Sequence, residues 1–248
     1  MDSQQIVLQR LSEMKDGTLK ITYLGLTSLP DSPLWEQVEV LYCDHNQLTT
    51  LPALPVVKKL YCSYNQLSTL PDLPKVEELY CRDNQLTTLP TLPKVRKLDC
   101  TSNNQLTTLP DLPEVKVLYC SNNQLITLPA LPEVKILYCS NNRLNTLPDL
   151  LKVTVLYCSY TQLTIFPDLP EVKKLFCSNN PLLYPKEKNK LIHQCQKTLL
   201  YLRAKGVITH WRHYVITSIT SKKRDLHNEL IYSPSNKFYL LYRLSDQW

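Results

Sequence analysis

Glycine is nearly missing from this chain of 248 residues: there are three, Gly17, Gly25 and Gly206, none close to another. Dinucleotide and nucleoside-triphosphate folds need clustered glycines where backbone approaches phosphate, so a phosphate-cradling enzyme is excluded as a reading. Long apolar runs are also lacking. No stretch approaches the roughly 18 apolar residues of a membrane helix. The opening MDSQQIVLQRLSEMKDG does not follow the basic-then-apolar order of a signal peptide, and the ending SDQW matches no recognised prenylation or retention signal. These features give the expectation of an intracellular protein, and charged residues of only 20% against 43% hydrophobic favour a folded chain over a disordered one. No Ser/His/Asp set, acidic pair or metal signature stands out. His210 and His213 form a lone pair without further ligands, and no cofactor is expected.

What is plentiful is proline, 18 residues, and cysteine, nine. The cysteines stand at Cys43, Cys62, Cys81, Cys100, Cys120, Cys139, Cys158, Cys177 and Cys195, so that successive gaps are 19, 19, 19, 20, 19, 19, 19 and 18 residues. A fixed period of this length marks a solenoid, in which each unit buries its apolar face only by stacking on neighbours. Units begin at Val38, Val57, Val76, Val95, Val115, Val134, Val153 and Val172 and read VKKLYCSYNQLSTLPDLPK, VEELYCRDNQLTTLPTLPK and so on. The unit from Val95 carries one extra residue, placed between Cys100 and Asn104.

The pattern VxxLxCxxNxLxxLPxLPx resembles a leucine-rich repeat with Cys at a usually aliphatic position, and its LPxLP element and short period are similar to the bacterial effector class of these repeats. That class often carries a cysteine-based ubiquitin ligase domain, but Cys195 is the single thiol after Cys177 and no CxD motif follows, so no enzymatic activity is carried over. The near-identical units, rich in Tyr, Asn and Cys, are also similar to repeat proteins of large DNA viruses, the marseillevirus group among them.

The resemblance implies an α/β solenoid with a parallel β-sheet on the concave face and an extended, polyproline-like convex wall. In such a repeat LxC is a short strand, which by alternation turns Leu60 and Cys62 inward and Lys59, Tyr61 and Ser63 outward. The inner column, Cys43, Cys62, Cys81, Cys100, Cys120, Cys139, Cys158 and Cys177, is expected to be a ladder of reduced thiols. Parallel strands lie about 4.8 Å apart, too far for the roughly 3.8 Å between Cβ atoms of a bridge, and a straight row does not converge on a metal. Asn46, Asn65, Asn84, Asn104, Asn123, Asn142 and Asn180 are expected to bond backbone of adjacent coils. Thr161 interrupts that column, which predicts a locally looser unit.

The outward column holds Tyr42, Tyr61, Tyr80, Asp99, Tyr119, Tyr138, Tyr157 and Phe176, with Arg82 beside it. A contiguous aromatic stripe fits a protein-binding face. It also fits a purely structural ladder of same-face neighbours.

Residues 1–18 are expected to hold a capping helix from Ser3 to Met14, with Ile6, Val7, Leu11 and Met14 inward. Residues 19–185 form the solenoid, opening on a degenerate unit with Leu24 in the Asn position. Residues 186–248 form a C-terminal cap, with a helix carrying Leu191, Cys195, Leu199 and Leu202 ahead of a basic β extension. That segment holds 12 Lys and Arg against 4 Asp and Glu, while residues 1–185 hold 16 against 18. The functional reading is a non-catalytic scaffold that binds a protein partner. Nucleic-acid or anionic-surface binding through Trp211, Tyr214, Lys222, Lys223, Arg224, Tyr239 and Tyr242 is the lesser reading, because these aromatics alternate with Ile and Leu as core strands do. An adaptor that brings a target to a host modification enzyme is a third.

Overall fold

A computed structural model describes residues 3–181 of the chain; the expected C-terminal cap of residues 186–248 lies outside the described residues. Each unit contributes one three-residue strand, and the nine strands form a single parallel sheet in strictly sequential order. They are β1 (Thr18–Lys20), β2 (Val40–Tyr42), β3 (Lys59–Tyr61), β4 (Glu78–Tyr80), β5 (Lys97–Asp99), β6 (Val117–Tyr119), β7 (Ile136–Tyr138), β8 (Val155–Tyr157) and β9 (Lys174–Phe176). Register is exact from coil to coil, Leu41 opposite Leu60, Leu60 opposite Leu79, and so on to Leu175. The period of the sequence is thus the period of the solenoid.

The repeat works because each coil buries the same inward set. In the third coil this set is Val57, Leu60, Cys62, Leu67 and Leu73, all almost wholly removed from solvent. At about 1.5–3 kcal/mol per large side chain these positions are the main source of stability, and none is filled without the next coil stacked upon it. Between strands the LPxLP segment runs extended and closes in a turn, with Val57 N donating to Leu54 O at 3.3 Å. Pairing also continues past each strand: Cys62 N donates to Tyr80 O at 2.8 Å and Tyr64 N to Arg82 O at 3.0 Å.

The first coil is sealed by helix α1 (Ser3–Ser12), which buries Val7 and Leu11 and packs on β1 and on a 3₁₀ turn at Pro33–Gln37. Arg10 Nη1 donates to Lys20 O at 2.6 Å and Ser3 Oγ to Leu24 O at 3.3 Å, which pins the helix to the coil. In the turn, Ser32 accepts from Leu34 N, Pro33 supplies the first-turn φ, and buried Trp35 donates from Nε1 to Pro30 O at 2.9 Å. No helix among the described residues is long and apolar enough to cross a membrane.

Candidate functional site

An asparagine at the end of each strand holds neighbouring coils together. Asn65 Nδ2 donates to Cys43 O in the preceding coil (3.0 Å) and to Cys62 O in its own (3.1 Å), while Asn65 Oδ1 accepts from Leu48 N at 3.0 Å. A side-chain amide supplies two N–H donors and a carbonyl acceptor at this short reach, which a hydroxyl with its single donor does not. Asn84 and Asn142 repeat the arrangement, and Asn46 and Asn180 do so at the two ends.

In the coil with the extra residue the structure corrects the sequence reading. Asn103, not Asn104, occupies the bracket, donating to Cys81 O and Cys100 O and accepting from Leu86 N. Asn104 is the inserted residue: it is exposed, stands at φ +61°, and its carbonyl accepts from Gln124 Nε2 at 2.7 Å. The insertion leaves a local defect, because Asn123 keeps its donor bonds to Cys100 O and Cys120 O while its Oδ1 is buried without a partner. At the other irregular place, Thr161 Oγ1 donates to Cys158 O at 3.1 Å and lies against Asn180 Oδ1. Strand register passes through that coil unbroken.

Seven inner cysteines, from Cys43 to Cys158, are fully buried free thiols; Cys177 is half-buried. Burial raises the thiol pKa at every one of the seven, to about 12 at Cys139. Thiols held in this form are poor nucleophiles and poor metal ligands. Among the described residues no group of three His, Cys, Asp or Glu is placed to hold a metal ion.

The outward side of the sheet carries the aromatic rings. Tyr42, Tyr61 and Tyr80 stack with centroids 4.5 and 4.8 Å apart and planes within 9°. Tyr138, Tyr157 and Phe176 stack at 4.2 and 4.3 Å with planes within 16°. Between the two runs stands Asp99, in register with Tyr80 on one side and Tyr119 on the other. Tyr119 is tilted 58° from Tyr138 at 5.0 Å. The rings are half-buried, except Phe176, which is exposed. Burial and Glu78, whose carboxylate is 3.4 Å from the Tyr61 hydroxyl, push the Tyr61 phenol up to about 12. Lys59 pairs with Glu78 at 2.8 Å across the same face, and its ammonium is held above its usual pKa by that carboxylate.

A second column escaped the strand-alternation argument. The residue two places after each cysteine, with Tyr23 in the first coil, has positive φ: Tyr23, His45, Tyr64, Asp83, Ser102, Asn122, Asn141, Tyr160 and Asn179 lie between +51° and +57°. Asn, Asp and His are the non-glycine residues that tolerate this region, and tyrosine is costly there. The signal was the Asn-Asn and Asp-Asn pairs that end several strands. Tyr23, His45 and Tyr64 nonetheless stack at 4.3 Å spacing, and the Arg82 guanidinium lies 5.2 Å over Tyr64 while Arg82 Nε pairs with Asp83 at 2.9 Å. At the N-terminal end the aromatic surface is therefore two columns wide.

A family model described as "Leucine Rich repeats (2 copies)" matches residues 74–114. The fold is that of a leucine-rich repeat solenoid. Among solved structures the chain is similar to YopM from Yersinia enterocolitica WA-314, with 34% identity and a TM-score of 0.66 over 71% of this chain and 41% of that one. It is similar to the leucine-rich effector YopM from Yersinia pestis, with 28% identity and a TM-score of 0.58 over 73% of this chain and 63% of that one. A Shigella effector leucine-rich repeat domain shares 29% identity at a TM-score of 0.50, over 79% of this chain and 83% of that one. This leucine-rich repeat chain thus spans about two fifths of the first YopM structure and under two thirds of the second. No curated protein matches it.

Proposed function

We propose that this repeat protein is a non-catalytic scaffold that binds a protein partner along its concave face, through Tyr42, Tyr61, Tyr80, Tyr119, Tyr138, Tyr157 and Phe176 with Arg82 and Asp99 among them. One observation carries the reading. The core of each coil is complete with Val, Leu and Cys on the inner side, so the stacked, partly solvent-facing rings on the outer side are surplus to it. Tyrosine offers large contact area at low entropic cost, and stacking holds these rings in place before a partner arrives. Buried thiols at regular positions support a reducing compartment.

The test is affinity capture with the full chain beside a Tyr119→Ser, Tyr138→Ser, Tyr157→Ser variant. Loss of the partner by a variant that keeps the parental circular dichroism spectrum supports the face, whereas retention of every partner by that variant removes it. The excess of Lys and Arg after residue 185 favours one further reading, contact with nucleic acid or an anionic surface. A shift with heparin or DNA that weakens steeply with salt, and disappears on truncation after Arg203, would establish it. A host modification enzyme that co-purifies would instead mark an adaptor.

A further inference from the structure

The ring stack has four ends, and two of them are closed in the same way. Lys20 Nζ lies 5.6 Å from the centroid of Tyr42 at the first end, and Lys97 Nζ lies 5.0 Å from that of Tyr80 where the first run stops. A cation over an exposed ring face is attracted by the ring quadrupole, so each lysine replaces the next ring. The fourth end, Phe176, is on the last described strand. The third end is Tyr119. There the neighbouring coil presents a carboxylate, Asp99, and among the described residues no cation lies over the Tyr119 ring.

The interruption makes a space. Arg82, Asp99, Thr101, Tyr119, Ser121 and Tyr138 line an open depression of about 380 Å³, on whose wall the Tyr119 ring stands tilted 58° from that of Tyr138. Asp99 is fixed in place, its Oδ1 accepting from Thr101 N at 3.1 Å. Arg82 is paired with Asp83 and its guanidinium turned over Tyr64, so that Asp99 adds only a longer-range attraction to it. What remains is an aromatic face, a carboxylate beside it and two hydroxyl-bearing residues. A flat cation with several N–H donors complements all of these, and guanidinium does so better than ammonium because it stacks and pairs in one plane.

Resting on the concave-face reading, we propose that this notch takes an arginine side chain of the protein partner, its guanidinium stacked on Tyr119 and hydrogen-bonded to Asp99. The test titrates the full chain, labelled at tyrosine ring carbons, with Ac-Gly-Arg-Gly-NH2 and with its citrulline counterpart, which keeps the shape without the charge. The expected result is a saturable shift confined to the Tyr119 and Tyr138 resonances, about threefold to tenfold weaker with citrulline. It should disappear in Asp99→Tyr, which restores the ring, and weaken in Asp99→Asn, which keeps the bond to Thr101 N. It should be unchanged in Ile165→Ser, at an exposed position outside the strands. No shift with the arginine peptide, equal shifts with both peptides, or an undiminished response in Asp99→Asn overturns the notch. If Asp99→Tyr keeps the captured partner at full affinity while the triple tyrosine variant loses it, the notch is wrong and the face stands. If both variants keep the partner, the face itself fails.

Discussion

Asn65 and Cys43 belong to different coils, and a hydrogen bond of 3.0 Å from Asn65 Nδ2 to the Cys43 carbonyl joins them. Since Asn65 also accepts from Leu48 N of that preceding coil, one side chain satisfies two backbone groups that stacking has removed from water. Asn65→Ala leaves Leu48 N buried without a partner and Cys43 O with only its bond from Asn46 Nδ2, and should cost about 1–3 kcal/mol in urea unfolding. Asn104→Ala, at the exposed inserted position, should stay within about 0.5 kcal/mol. Equal costs would contradict the assignment of the bracket to Asn103.

The interrupted bracket offers the converse. Thr161→Asn restores the repeat's own residue beside Cys158 and should stabilise by about 0.5–1 kcal/mol, read as a higher urea midpoint. A lower midpoint would show that the contact of Thr161 with Asn180 outweighs the missing amide.

Positive φ at bulky residues makes a further contrast. Tyr160 is 60% exposed at φ +55°, so Tyr160→Asn should relieve backbone strain and gain about 0.5–1 kcal/mol. Tyr64 has the same φ but stacks on His45 at 4.3 Å and lies under Arg82, contacts worth about 0.5–1.5 kcal/mol. Tyr64→Asn should therefore bring no gain. Thermal midpoints of the two variants decide the matter.

The thiol column makes stability sensitive to alkali. Each of the seven buried cysteines has a folded pKa above the unfolded value of about 8.5. Above that value the unfolded chain releases protons that the folded chain retains, so stability is full below it and falls as pH rises toward the folded values. The slope is about 1.4 kcal/mol per pH unit for each thiol, and seven act together. Urea midpoints should be level from pH 7 to 8 and collapse between about pH 9 and 10, with Cys100→Ala flattening the fall. A midpoint unchanged at pH 9.5 would contradict burial of the column.

The cysteine spacing made the sheet legible before any coordinates. An interval of 19 residues, broken once between Cys100 and Cys120, sets the register directly, and strand alternation then puts Leu60 and Cys62 inside and Tyr61 outside. Where the interval changes, the sequence TSNNQL holds two asparagines in succession, and spacing alone does not say which one follows the strand. Hydrogen bonding to Cys81 and Cys100 does. The left-handed column was hidden for a different reason, since alternation governs extended backbone and stops where the strand stops. His45 and Tyr64 stack because of a turn that no period-two argument describes. The vacancy beside Tyr119 was legible as a single Asp in a Tyr column, but the lysines that close the other ends became visible only as distances.

Hydroxyl-radical footprinting of the full chain with and without its captured protein partner tests the central claim most directly. The account predicts strong protection of Tyr119, Tyr138 and Tyr157, with exposed Leu151 and Ile165, which lie outside the strands, labelled equally in both states. Protection at Leu151 and Ile165 with the three tyrosines unchanged would contradict it.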